Sequence, residues 1–142
     1  MPLEAPPKVV LDTNTVLSAM LFSNTSLSQL RLCWQNQQLI PFTSKATVSD
    51  LILVLAYPKF KLFSIVQRSF LDEYLPYIQS ITKLKALPKA IACRDNVDIK
   101  FLKLAITANI DYLITGDKDV LGLPPMFQFN IITPAEFINS LV

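Results

Sequence analysis

Residues 93–123 have the sequence CRDNVDIKFLKLAITANIDYLITGDKDVLGL and contain five of the protein's eleven acidic residues. An acidic turn with Asp95 and Asp98 precedes a segment whose apolar residues have helical spacing. The short apolar run 112–115 follows and stops just before Asp117. This order predicts a buried parallel strand with a carboxylate just past its carboxyl end. In open α/β sheets, ligands bind at that edge.

The same pattern occurs near the start of the chain, where the apolar run 8–11 ends at Asp12. Because neighbouring parallel strands end at one edge of a sheet, we expect Asp12 and Asp117 to lie close together. Two predicted helices, one carrying Asp50 and one beginning near Asp98, are placed to cover this edge. The four carboxylates therefore form a candidate acidic site.

Each of these aspartates also has a simpler explanation. Aspartates at the ends of strands often cap the following helix by accepting backbone hydrogen bonds. A carboxylate in the first turn of a helix, as at Asp98, is stabilised by the helix dipole. Asp50 lies within half a turn of the apolar stripe of its helix, so it either points into a cleft or lies at an exposed edge. Lys100 and Lys103, roughly 140–200° around the helix from Asp98, are expected on a solvent-exposed face.

The composition predicts one compact domain comprising residues 1–142. The chain is 51% hydrophobic and 17% charged, which is typical of a globular protein with a substantial core. The alternation of predicted strands and helices indicates an α/β fold with a parallel sheet between helices. No apolar run approaches the ~20 residues that a membrane span needs, and the N-terminus does not resemble a secretory signal. We expect a cytoplasmic protein with no membrane association.

The absence of several residue types limits the chemistry. The chain has no histidine, and its two glycines exclude a glycine-rich phosphate-binding loop. Cys33 and Cys93 lack paired spacing, so they are expected to be buried, reduced thiols. Four carboxylates close together repel one another unless a cation intervenes, and all-oxygen ligation favours Mg²⁺ or Mn²⁺. A metal-bound water is then the available nucleophile for hydrolysis.

Four segments occur along the chain in a recognisable order: VLDTN at 10–14, SKATVSDLILVLAYPKF at 44–60, RDNVDIKFLKLA at 94–105 and DYLITGDKD at 111–119. Together they resemble the PIN domain, in particular the VapC-like toxin–antitoxin ribonucleases of that superfamily. The strand followed by Thr-Gly-Asp-x-Asp is the most specific part. The resemblance covers nearly the whole chain.

The resemblance implies a three-layer α/β/α sandwich with a mainly parallel central sheet. It also implies Mg²⁺- or Mn²⁺-dependent hydrolysis of phosphodiester bonds in single-stranded RNA, a cognate antitoxin protein as partner and often a homodimer. The acidic positions of the family fall on Asp12, Asp50, Asp98 and Asp117. Its polar supporting positions fall on Asn14 and Thr115 and, more loosely, on Thr13, Asp95 and Asp119.

The chain departs from the family pattern at two places. The second acidic position is usually Glu, and Asp50 is one methylene shorter, which limits its reach to a metal. Asn96 and Val97 replace the usual Pro-Asp of the acidic turn. These departures leave open a catalytically inactive PIN-like module that binds RNA or a protein. A haloacid-dehalogenase-type phosphatase needs a second Asp two residues after the first, where this chain has Asn14.

Two surface features have alternative explanations. Lys59, Lys61 and Lys118 either form a track for RNA or are ordinary solvated loop charges; the net charge of +2 does not itself argue for nucleic acid. Residues 51–56 are apolar around the whole predicted helix, so part of this segment either faces a partner or is buried under a neighbouring helix. Burial is the expectation.

Overall fold

The computed structural model describes residues 5–22, 27–87 and 99–141. In these ranges, five parallel strands form one sheet in the order β3-β2-β1-β4-β5. The strands are β1 (Lys8–Leu11), β2 (Ile40–Ser44), β3 (Gln79–Ile81), β4 (Tyr112–Ile114) and β5 (Asn130–Ile132).

The described residues also form seven α helices. These are α1 (Thr13–Leu21), α2 (Ser28–Gln35), α3 (Lys45–Leu55), α4 (Ser64–Asp72), α5 (Ile99–Ala108), α6 (Lys118–Leu121) and α7 (Pro134–Ser140). Capping boxes fix the starts of α3 and α7: Ser44 pairs with Thr47, and Thr133 pairs with Glu136. Pro134 occupies the first position of α7, where its fixed φ suits a helix start.

Alternating side chains of the central strand β1 divide the core into two parts. Val9 and Leu11 pack with buried residues of α1, α2, α3 and α7. Val10 faces the other way and packs with buried residues of α5 and α6. Helices therefore cover both faces of the sheet, which confirms the predicted three-layer α/β/α sandwich.

The strand order creates a crevice at the carboxyl ends of β1 and β4. In the register of these two strands Leu11 lies opposite Ile114, so Asp12 and Thr115 leave the sheet side by side. Val16 of α1 and Val120 of α6 belong to different halves of the core. Because the helices that follow the two strands depart to opposite faces, the edge between them is open for a ligand.

Two elements differ from the sequence expectation. The segment after β4, which contains Asp117 and Asp119, includes a one-turn helix, α6, that the pattern of charges does not reveal. In α3, Leu51 and Leu55 are buried as expected, but Ile52 is 45% and Leu53 64% exposed. Burial of the whole 51–56 segment was wrong, because only one face of this helix lies against the core.

The edge of the sheet, the cysteines and the lengths of the helices complete the description of the fold. β3 is an edge strand of the sheet. Cys33 is a buried free thiol, and burial raises the pKa of its side chain; Cys93 lies outside the described residues. Among the helices described, none is long and apolar enough to cross a membrane.

Candidate active site

A cavity of about 720 Å³ opens at the carboxyl ends of β1 and β4. Asp12, Asp50 and Asp117 line it, so the structure brings together three of the four predicted acidic residues. The predicted supporting residues Asn14 and Thr115 line it as well. Asp98 and Asp95 lie outside the described residues, and Asp98 immediately precedes the first described residue of α5. Apolar side chains complete the wall, among them Val54, Phe101, Leu102 and Leu113.

Asp12 joins the end of β1 to the start of α1. One carboxylate oxygen, Oδ1, accepts a hydrogen bond of 2.8 Å from the backbone N–H of Thr15, so Asp12 caps the helix. The other oxygen, Oδ2, accepts a hydrogen bond from the Thr115 hydroxyl. The cap explanation for Asp12 is therefore correct, and the same partly buried side chain also lines the cavity.

Thr115 is 1% exposed and connects the two strand-end aspartates. Its hydroxyl donates to Asp12 and accepts a hydrogen bond of 3.0 Å from the backbone N–H of Asp117. The sequence placed Thr115 in a supporting role, and in the structure its hydroxyl contacts both strand ends. A single hydroxyl, which is donor and acceptor at once, fixes the ends of β1 and β4 relative to each other.

Asp117 follows β4 and caps α6. Its Oδ1 atom accepts a hydrogen bond of 2.9 Å from the backbone N–H of Asp119. Asp117 is partly buried, whereas Asp119 is exposed and is not among the residues that line the cavity. The contact that the structure describes between Asp119 and the site is therefore made by its backbone N–H, which donates to Asp117.

Asp50 reaches the cavity from α3, the helix that follows β2. Its Oδ2 atom accepts a hydrogen bond from the hydroxyl of Thr13, the residue after Asp12. Its Oδ1 atom lies 3.1 Å from Nζ of Lys100 on α5. Asp50 therefore points into the cleft, one of the two positions that the sequence left open.

The ion pair with Asp50 corrects the expectation that Lys100 belongs to a solvent-exposed face. The Lys100 side chain is 29% exposed, and its ammonium reaches sideways to α3. A lysine can lay its aliphatic stem along a protein surface and place its charge several ångströms from the helix that carries it. The angle around the helix between Asp98 and Lys100 therefore gave a wrong prediction for the location of the Lys100 ammonium. The sequence offered no signal for this contact, since it depends on the packing of α3 beside α5.

The oxygen donors at the cavity suit a hard divalent cation. Asp12 and Asp117 are carboxylates linked through Thr115, and none of the described residues that line the cavity carries a sulfur or an imidazole. Such donors match the preference of Mg²⁺ and Mn²⁺. Within the described ranges, no group of three Asp, Glu, Cys or His side chains is close enough to form a complete metal site. Asp98 lies outside those ranges.

A parallel α/β/α sandwich with carboxylates in the crevice at the carboxyl ends of β1 and β4 is the class of protein that the fold and the site define. Residues 8–119 match the PIN domain family, and the chain belongs to that family. PIN domains are generally nucleases.

Individual proteins that are similar to the chain include the following two. One is an uncharacterized protein of Methanocaldococcus jannaschii, 25% identical in an alignment of 148 positions that covers 94% of this chain and 90% of that protein. The other is a chain in the crystal structure of VapBC2 from Rickettsia felis bound to a DNA fragment from their promoter. It superposes with a TM-score of 0.60 and 18% identity over 89% of this chain and 98% of that chain. At this identity, the structural similarity concerns the fold alone.

Proposed function

We propose that the protein is a metal-dependent endoribonuclease that hydrolyses phosphodiester bonds of single-stranded RNA. The observation that carries the proposal is the pair Asp12 and Asp117, which line one cavity and are joined through the Thr115 hydroxyl. With Asp98, which follows the family pattern in sequence, they are the proposed ligands of Mg²⁺ or Mn²⁺. Membership of a family of nucleases supports the reaction type.

The residues at the cavity have separate proposed tasks. A bound divalent cation supplies a water of lowered pKa and offsets the charge of the phosphate. Thr115 holds the Asp12 carboxylate in one orientation, so that this ligand needs little rearrangement. Asn14 is exposed at the cavity, where its amide can donate to a phosphate oxygen of the RNA.

A second candidate function is a PIN-like module that binds RNA or a protein without cleaving it. The observation that favours it is the engagement of Asp50 with Thr13 and Lys100, which occupies a carboxylate at one of the family's acidic positions. The two candidates make opposite predictions for catalysis. RNA binding does not require a site that can activate water, so both candidates are expected to bind RNA and they differ in cleavage.

Cleavage of a labelled single-stranded RNA distinguishes the two candidates. The proposed enzyme cuts in Mg²⁺ or Mn²⁺, stops in EDTA and is indifferent to zinc-selective chelators, because its ligands are all oxygen. Asp12→Asn and Asp117→Asn should abolish cutting, while Asp72→Asn, at an exposed aspartate of α4, should have no effect. RNA binding without cleavage under all these conditions would favour the non-catalytic module.

The acidic turn before α5 contains two candidate ligands, and we propose Asp98 as the functional one. Asp98→Asn should remove most of the cleavage rate, whereas Asp95→Asn should cost much less. The pair is matched in chemistry, because each change removes one negative charge and retains the size of the side chain. Equal losses at both positions would show that the wrong carboxylate has been assigned.

We further propose that the nuclease is the toxin of a cytoplasmic toxin–antitoxin pair, with a cognate antitoxin protein and a homodimer as its assemblies. Exposed apolar side chains on two helices that pack together support a protein partner: Leu53 on α3 is 64% exposed, and Phe63 and Ile65 at the start of α4 are each 78% exposed. Induced expression should arrest cell growth, and Asp12→Asn should relieve the arrest. A protein that sediments as a monomer at micromolar concentration would refute the homodimer.

A further inference from the structure

Asp50 differs from the other two aspartates of the cavity in the charge of its partners. Its Oδ1 atom pairs with the Lys100 ammonium at 3.1 Å, and its Oδ2 atom accepts from Thr13. Asp12 and Asp117 accept hydrogen bonds from neutral donors, which are backbone N–H groups and, for Asp12, the Thr115 hydroxyl. Among the described contacts of these three carboxylates, the one with a positively charged side chain is therefore that of Asp50 with Lys100.

The ion pair lies in a partly desolvated place. The side chains of Lys100 and Asp50 are 29% and 26% exposed, so water screens their attraction less than it would at an open surface. Asp50 sits in the middle of α3 and Lys100 in the first turn of α5, so the pair also ties these two helices together. Thr13 adds a third element, the start of α1.

A divalent cation gains little from a carboxylate that already faces an ammonium. To ligate a metal, Asp50 would have to leave Lys100, and the lysine charge would then repel the incoming cation. The side chain of Asp50 is also one methylene shorter than the glutamate usual at this position. The ion pair with Lys100 and the shorter side chain therefore both disfavour ligation of a metal by Asp50.

We propose that Lys100 is the internal counter-ion of Asp50 and that this pair is a positioning element outside the metal-ligand set. Asp12 and Asp117 then hold the metal, while Asp50 and Lys100 fix α3 and α5 at the mouth of the cavity. This inference rests on the proposed function, because it distributes roles within the proposed metal site.

The assignment can be tested without measuring activity. Mn²⁺ is titrated into the RNA-free protein, and the electron paramagnetic resonance signal of the free ion measures how much stays unbound. The decisive variant is D50N/K100Q, which deletes the pair and leaves the net charge unchanged. It should bind Mn²⁺ within about twofold of the wild type, the spread with which independent effects add. The matched control D12N/K100Q has the same net charge but lacks a proposed ligand, and should lose roughly tenfold or more.

The single variants separate positioning from a general structural role. K100Q should tighten Mn²⁺ binding, because it removes a positive charge and releases the Asp50 carboxylate, whereas K100R keeps the charge and should restore the wild-type affinity. The gain in K100Q should vanish when D50N is added. A lysine that served only packing would leave Mn²⁺ affinity the same in all of these proteins.

The outcomes are distinct. If D50N/K100Q weakens Mn²⁺ as much as D12N/K100Q does, Asp50 is a metal ligand and the inference is overturned. A wild-type protein that binds no Mn²⁺ refutes the proposed metal site and the inference with it. If circular dichroism finds D50N/K100Q unfolded, D50L/K100M takes its place, since replacing an ion pair by apolar side chains often preserves stability.

Discussion

The Thr115 hydroxyl donates a hydrogen bond to the Asp12 carboxylate and so joins the residue after β4 to the residue after β1. The same oxygen accepts from the backbone N–H of Asp117 at 3.0 Å. A buried hydroxyl therefore fixes the position of the Asp12 carboxylate relative to the backbone of Asp117. A site arranged in this way needs little reorganisation when a cation binds.

Thr115→Val keeps the shape of the side chain and removes the hydroxyl. The backbone N–H of Asp117 loses its acceptor and Asp12 loses a donor, so we expect a loss of about 1–3 kcal/mol in the free energy of unfolding. Thr115→Ser retains the hydroxyl and should lose less. Urea denaturation of the three proteins measures the difference. If the valine variant is as stable as the wild type, the hydrogen bonds at Thr115 contribute nothing to the fold.

Asp12 serves both the fold and the proposed site, and two substitutions separate these roles. Asp12→Ala removes the cap of α1 and should cost about 0.5–2 kcal/mol in EDTA. Asp12→Asn retains one acceptor oxygen for the Thr15 N–H and should cost less than alanine. Both variants should lose the increase in melting temperature that Mg²⁺ gives the wild type, because ligand binding to the folded state is what raises it. A full Mg²⁺ response in Asp12→Asn would mean that Asp12 is a cap and not a ligand.

Much of the fold could be predicted because it depends on local patterns. The apolar runs that end at Asp12 and before Asp117 predict buried strands, and parallel strands bring their ends to one edge. Ser44 and Pro134 predict the starts of α3 and α7. These signals act over a few residues, so the sequence alone is sufficient to detect them.

The remaining features depend on how elements pack against one another. The contact of Lys100 with Asp50 joins α5 to α3, and no spacing along the chain encodes it. The exposure of Leu53 likewise depends on which neighbour covers each face of α3. The resemblance places Thr13 only loosely among the supporting positions, and its hydrogen bond to Asp50 also depends on how α3 packs beside the start of α1.

Cys33 should be unreactive in the folded protein. It is 4% exposed, and burial raises the pKa of its thiol, so both access and the fraction of thiolate are low. In a Cys93→Ser variant, where Cys33 is the remaining thiol, a thiol reagent at pH 8 should react slowly without denaturant and rapidly in guanidinium. Because the raised pKa disfavours the thiolate in the folded state only, the ratio of the two rates should stay large up to the usual thiol pKa of about 8.5. Equal rates in both conditions would contradict a buried thiol.

Gly116 lies at the cavity between Thr115 and Asp117, and the fold itself does not require a glycine there. Its φ is not positive, and a Cβ atom at this position would have no neighbour within 4 Å. Gly116→Ala should therefore raise the free energy of unfolding by about 0.4–1 kcal/mol, because alanine reduces the entropy of the unfolded chain.

The matched control is the other glycine of the chain. At Gly122 a Cβ atom would lie 3.2 Å from the Lys118 carbonyl oxygen, so Gly122→Ala should gain less stability or lose some. If RNA passes over Gly116, the added methyl should weaken RNA binding in Gly116→Ala while leaving Gly122→Ala unaffected. Thermal melts and RNA titrations of both variants in Ca²⁺ or EDTA measure the two effects separately. A Gly116→Ala variant that is more stable and binds RNA as tightly as the wild type would place the path of the RNA elsewhere on the cavity.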